Sequence, residues 1–290
     1  MVSWKEIPIM SWVGLWLYHN LIETYLLGCG ECEEVPTLGH LPCLRVLKII
    51  GMWKLSIGSE FYSDGSYKNT TTLFLALRIL KLDSMDSLEE WRDAKGLTSA
   101  GEVLLVFPCL EVFTICYCKK LKYFPDSLHT CISLQKLVVQ KCRNLRPLPG
   151  VLSSGLQCST SIKHSLQKLK LCGSFEYHSL DALLVLDQIQ FFIALKILWI
   201  QGFPEMEALP EWLVNLSSLQ QTYLVNCKNL VHLPNEEAMG CLTPLKMLMI
   251  YGCPMEDNEW IKIGHVPWVE INARYVYSYY PTISYTSFIL

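Results

Sequence analysis

Charge is what this sequence has least of. Only 18% of its 290 residues are Asp, Glu, Lys or Arg, and 24 basic against 27 acidic residues leave a net charge of −3. A disordered chain needs high charge and little apolar matter, and with 51% hydrophobic residues this one has ample material for a core. The balance of sign also gives no electrostatic reason to expect nucleic acid as a partner. Long apolar runs are missing too. The mean hydropathy of +0.26 raises the question of a membrane, but a bilayer span takes roughly 20 predominantly apolar residues. The best stretch, Ala182 to Ile200, is interrupted by Asp187, Gln188, Gln190 and Lys196 and reads as a buried segment, so no membrane span is expected.

Catalytic signatures are absent as well. No G-x-S-x-G, H-E-x-x-H or paired-carboxylate arrangement occurs. His19, His40, His129, His164, His178, His232 and His265 are scattered along the chain. Asp83, Asp86, Glu89 and Glu90 cluster near Trp91 and read as a solvated turn. The chain is therefore expected not to be an enzyme and to hold no cofactor. Its 13 cysteines are an odd number in a chain too long for a small disulfide scaffold, which points to a reducing compartment. The N-terminus makes a poor secretion signal, whereas the sequons at Asn69 and Asn215 lend mild support to a secreted protein.

What the sequence does have is a repeat. Leu134-x-x-Leu137-x-Val139-x-x-Cys142-x-x-Leu145-x-x-Leu148-Pro149 recurs from Leu110 to Pro125, from Leu195 to Pro210 and from Leu219 to Pro234, with weaker copies around Leu26, Ile49, Leu82, Leu171 and Ile250. The second core aliphatic falls at 26, 49, 82, 115, 139, 171, 200, 224 and 250, in steps of 23, 33, 33, 24, 32, 29, 24 and 26. This is the leucine-rich-repeat pattern with some longer insertions. An amphipathic helix fails to explain it, because L-x-L needs the two-residue period of a strand.

Alternation along that strand predicts Leu137 and Val139 pointing inward and Lys136, Val138 and Gln140 outward. A register of small or soft residues follows at the bend: Cys29, Cys118, Cys142, Cys227 and Cys253, with Met52, Met85 and Phe203 in the same place. Substitution by plain hydrophobes argues for buried thiols over metal ligands, and the Cys29–Cys32 C-x-x-C has no second pair. One unit cannot bury its own apolar face, whereas stacked units can, at roughly 1.5–3 kcal/mol for each buried aliphatic side chain. The expected fold is α/β: a curved leucine-rich-repeat solenoid with a parallel inner β-sheet and irregular loops and short helices outside. Residues 1–20 read as an N-terminal partial repeat or cap and 21–272 as about nine irregular repeats. Residues 273–290 are a C-terminal extension, either a capping strand or, the preferred reading, a poorly ordered tail.

Particular stretches carry a resemblance. These are Leu21 to Leu26 leading into Cys29-x-x-Cys32-Glu33-Glu34-Val35-Pro36-x-Leu38-Gly39-x-Leu41-Pro42-x-Leu44, then Leu47 to Met52 with Ile57 to Tyr62. Phe74 to Trp91, Leu209 to Leu213 followed by Asn215 to Leu219, and Trp260 to Pro267 complete the set. Together they resemble the leucine-rich-repeat region of plant coiled-coil nucleotide-binding disease-resistance receptors, over roughly residues 9–272. The resemblance implies a cytoplasmic immune receptor whose solenoid restrains a nucleotide switch and recognises a pathogen effector or a guarded host protein. This chain has no G-x-x-x-x-G-K-S/T phosphate loop, so it reads as the repeat module alone. The alternatives are the substrate-recognition repeats of a ubiquitin ligase and an extracellular leucine-rich-repeat receptor.

Such modules read partners on the inner strand face. The outward residue of each strand runs Tyr25, Lys48, Lys81, Thr114, Val138, Lys170, Trp199, Tyr223 and Met249. Flanking positions add Lys136, Lys141 and Lys168, then Gln201, Asn226 and Tyr251. The middle of the face is expected to be basic and its C-terminal third aromatic. An acidic patch on a protein partner would then meet the lysines while Trp199, Tyr223 and Tyr251 anchor it. That partner could be an effector, a guarded host protein or a receptor's nucleotide-binding domain.

Overall fold

The L-x-L segments fold as strands because alternate residues lose all contact with water. In β5 (Ile79–Asp83) Leu80 and Leu82 are fully buried while the residues between them stay half-exposed, and β3 (Val46–Ile50) repeats the pattern with Leu47 and Ile49. A computed structural model describes residues 2–4, 20–28, 32–33, 35, 37–63, 71–94, 104–125, 127–128, 131–145, 160–173, 189–272 and 274–278.

The remaining strands are β1 (Val2–Trp4), β2 (Glu23–Leu27), β4 (Thr72–Leu73), β6 (Leu105–Val106), β7 (Val112–Cys116), β8 (Lys136–Gln140), β9 (Lys168–Cys172), β10 (Ile197–Gln201), β11 (Gln221–Val225), β12 (Met247–Tyr251), β13 (Trp268–Ile271) and β14 (Arg274–Ser278). Twelve of them form one sheet in the order β1-β2-β3-β5-β7-β8-β9-β10-β11-β12-β13-β14. Every neighbouring pair is parallel except the last. The register is unbroken through the middle: Leu80, Phe113, Leu137, Leu169, Leu198, Thr222 and Leu248 stand side by side. Identical register in successive coils is what stacks one shared core instead of many small ones. Short helices, α1 (Thr160–Ser165) and α2 (Glu236–Gly240), and several 3-10 turns lie among the connections outside the sheet. No helix among the described residues is long and apolar enough to cross a membrane.

Three details depart from the expectations. Residues 274–278, preferred as part of a loose tail, pair antiparallel with β13, so the last parallel strand does not end on an open edge. On β8, Val138 is nearly buried and Val139 only partly so, although alternation put the first outside and the second inside. Val138 is covered because it sits between Thr114 and Lys170 on the neighbouring strands. Cys32 is disulfide-bonded and is not a core thiol. Cys29, Leu148, Pro149 and Asn69 lie outside the described residues.

The bend register behaves as its chemistry predicts. The Sγ atoms of Cys118, Cys142, Cys227 and Cys253 each donate to the carbonyl two residues earlier, at 3.4, 3.4, 3.7 and 3.7 Å. A small donor with a soft body thus satisfies a carbonyl at the turn without leaving the core. No group of three potential metal ligands comes together among the described residues.

Leaving the strand requires a reversal, and the backbone makes it in the left-handed region. Gly28, Gly51, Ser84, Tyr117, Lys141, Gly202, Asn226, Gly252 and Asn272 all have positive φ immediately after their strands. At each exit but two the N–H bonds the last carbonyl of the next strand, as in Gly51 to Asp83 and Lys141 to Cys172. Glycine adopts this conformation freely, and the other residues do so at a cost of about 1–2 kcal/mol each. The two 33-residue coils use their extra length for the β4–β6 pair and for an aromatic spine. In that spine Phe74 packs tilted against Phe61 and Phe107 at centroid distances of 4.9 and 4.8 Å, with Trp91 and Tyr62 edge-on to Phe61.

Candidate functional site on the inner sheet face

Side chains at the odd positions of each five-residue strand leave the core and form three columns across the sheet. The middle column contains the candidate residues in contact order: Tyr25, Lys48, Lys81, Thr114, Val138, Lys170, Trp199, Tyr223 and Met249. Neighbours in such a column are the unit of interaction on a sheet face. Three groups emerge, the last two sharing Lys170.

The first is N-terminal. The Lys48 ammonium lies over the Tyr25 ring at 4.9 Å, and Lys81 forms a 2.8 Å ion pair with Asp83 two residues along its own strand. Lys81 is thus neutralised by an acid that looked like part of an outer turn. Asp86 and Glu89 do lie outside, facing Lys119 and Lys120 of the next coil at 3.8 and 3.6 Å. The expected acidic cluster therefore divides between the two faces of the solenoid.

The second group is the basic centre. Lys136 and Lys168 oppose each other across β8 and β9, and Lys170 follows on the same face. Partial burial, together with repulsion from Lys168 and Lys170, holds the Lys136 ammonium below its ordinary pKa. Burial holds the Cys172 thiol above its ordinary pKa, and the positive charges of Lys170 and Lys141 offset only part of that rise. Lys141 itself occupies a left-handed strand exit and lies 5.1 Å from the centre of the Tyr117 ring.

The third group is a stack. Trp199 and Tyr223 are direct cross-strand partners, with ring centroids 4.8 Å apart and planes 19° from parallel. Lys170 Nζ covers the Trp199 ring at 4.3 Å. Trp199 Nε1 donates to Gln201 Oε1 at 3.2 Å, and Tyr223 OH donates to Gln221 Oε1 at 3.1 Å, so the indole and phenol are fixed in orientation. Tyr223 is only 7% exposed, which makes it the floor of the site where the sequence suggested an anchor. Tyr251 is 57% exposed and stands one column over, apart from the stack. Asn226 occupies a strand exit, where its N–H bonds the Tyr251 carbonyl.

The structure therefore joins Lys136, Lys168, Lys170, Lys141, Trp199, Gln201 and Tyr223 into one patch, and leaves Lys48, Lys81, Asn226 and Tyr251 outside it. Sequence reading put Asp83 in a solvated turn and passed over Gln221, yet each touches a candidate residue. Both were findable as i±2 neighbours on the same strand face.

The family described as R13L1/DRL21 LRRs matches residues 153–253, which include α1 and β9 to β12. The repeats of this chain are similar to those of plant disease-resistance proteins. The disease resistance RPP13-like protein 1 of Arabidopsis thaliana is 28% identical over 238 residues, covering 76% of this chain and 22% of its own length. Disease resistance protein RPP8 of the same plant is 29% identical over 123 residues, covering 42% of this chain and 12% of its own. This chain thus spans about a fifth or less of those relatives. The leucine-rich repeat domain of the type III effector XCV3220 (XopL) superposes with a TM-score of 0.55 at 18% identity, covering 86% of this chain and 74% of that one, which establishes the shared solenoid. In the repeats of this chain the curved sheet presents the patch described above on its inner face.

Proposed function

We propose that this leucine-rich-repeat module is the partner-recognition part of a cytoplasmic plant immune receptor. Its ligand would be a protein: a pathogen effector, a guarded host protein or the receptor's own nucleotide-binding domain. The observation that carries the reading is the Lys170–Trp199–Tyr223 stack bordered by Lys136, Lys168 and Lys141. A large aromatic held rigid beside desolvated charge is the composition of an interface hot spot. The similarity to disease-resistance proteins supports the immune setting.

The inner face would meet an acidic patch on the partner, the lysines speeding encounter and Trp199 holding the complex. Capture from pathogen-challenged plant tissue tests this. The Trp199→Ala and Lys170→Ala chains should each lose the partner that the unaltered chain retains, and retention by both would refute the reading. A nucleotide-binding domain of a disease-resistance receptor, co-expressed with the module, supplies the defined-partner version of the same comparison.

A further inference from the structure

Lys136 and Lys168 are placed side by side on adjacent strands, with Lys170 two residues beyond on the same face. Like charges directly opposite one another destabilise a sheet. Several cations elsewhere meet an acid: Lys81 meets Asp83, Arg78 Glu111, Lys119 Asp86 and Lys262 Glu259. None of the three central lysines forms an ion pair among the described residues, although the chain contains more acids than bases. Val138, 8% exposed, floors the space between Thr114 and Lys170, and the Trp199 ring closes one side.

We propose that Lys136, Lys168 and Lys170 form a seat for a phosphorylated side chain of the protein partner, with Trp199 as the adjoining contact. This deepens, and rests on, the reading of the inner face given above. A phosphate monoester carries close to two negative charges and three acceptor oxygens at neutral pH, which matches three ammonium groups better than a single carboxylate does. Lysines serve phosphate as mobile point charges that can each turn toward a different oxygen. A dianion there would also relieve the repulsion that now loosens the proton on Lys136.

The test uses the whole 290-residue chain with its lysines reductively ¹³C-methylated, which keeps their charge, and follows them by NMR. The probes are the peptide Leu-Ala-phosphoserine-Ala-Leu, the same peptide with glutamate at the centre, and inorganic phosphate. The phosphopeptide should shift the resonances of Lys136, Lys168 and Lys170 and bind about tenfold tighter than the glutamate peptide, the equivalent of one added charge-assisted hydrogen bond. Binding should weaken as pH falls through about 6, where the phosphate gains its second proton. In the triple variant Lys136→Gln, Lys168→Gln, Lys170→Gln the phosphopeptide should no longer shift the Trp199 indole resonance, and the melting temperature should hold or rise as the repulsion is removed. Equal affinity for the glutamate peptide, binding of inorganic phosphate as tight as the phosphopeptide, or no lysine shift at all would each overturn the proposal. A partner lost by Trp199→Ala but retained by the triple variant would overturn this inference alone and leave the inner-face reading standing.

Discussion

The indole of Trp199 lies flat against the phenol of Tyr223, 4.8 Å between centroids, on the opposite side of the sheet from the core. Stacked pairs of this geometry contribute about 0.5–1.5 kcal/mol beyond the area they bury. Burial raises the Tyr223 hydroxyl above its ordinary pKa. Removing the indole should uncover it. We predict that Trp199→Ala lowers the Tyr223 pKa toward the usual tyrosine value, read from the ¹³Cζ shift of Tyr223 against pH, and lowers the melting temperature by a few degrees.

Thr222 stands in the row of core aliphatics between Leu198 and Leu248, 1% exposed, and its hydroxyl meets no hydrogen-bond partner among the described residues. A buried hydroxyl left unsatisfied costs about 1–3 kcal/mol. Valine has the same shape without that oxygen. Thr222→Val should therefore stabilise the solenoid by about 1 kcal/mol in urea unfolding, with an unchanged m-value.

The strand exits at Tyr117, Lys141 and Asn226 hold non-glycine residues at φ of 54°, 53° and 51°. Lys141→Gly should stabilise the fold by several tenths to 1 kcal/mol by removing the left-handed cost, and Asn226→Val should destabilise it by about 1–2 kcal/mol. Thermal melts of the two variants against the unaltered chain should move in opposite directions.

Near the C-terminal end, Glu259 is a buried acid with three partners. It accepts the Leu233 N–H at 2.7 Å and Lys262 Nζ at 2.8 Å, with His232 Nδ1 at 3.6 Å. Burial alone would raise its pKa, but the Lys262 and Leu233 hydrogen bonds outweigh that and leave it below the ordinary glutamate value. A depressed carboxyl contributes stability above its unfolded pKa of about 4.3, and that stability disappears as pH falls through the folded value. Glu259→Gln should flatten the acid limb of the stability–pH curve, and Glu259→Ala should cost about 1–3 kcal/mol at pH 7 by orphaning the Leu233 N–H.

Much of this was legible because the repeat fixes so much at once. Once Leu137 and Val139 were identified as the inward pair of a strand, period two placed Lys170, Trp199 and Tyr223 on one face, and a common register made them neighbours. The stack itself follows from two aromatic residues at the same repeat position in adjacent coils. The pairing of Lys81 with Asp83 was less visible, because the acids after Leu82 look like one cluster although the strand ends between them. The burial of Val138 depended on the side chains of flanking strands, which no single repeat reveals. The aromatic spine was half visible: Phe74 and Phe107 recur 33 residues apart, but nothing local shows that the longer coils fold around them.

The central claim, that the inner face reads a protein partner, is tested most directly by oxidative footprinting of the captured complex. Trp199 and Tyr251 lie on the inner face, whereas Trp53 and Ile261, 59% and 72% exposed, lie in the connections outside it. Partner binding should protect Trp199 by several-fold and leave Trp53 and Ile261 labelled as in the free chain. Protection of Trp53 or Ile261 with Trp199 unchanged would contradict the account.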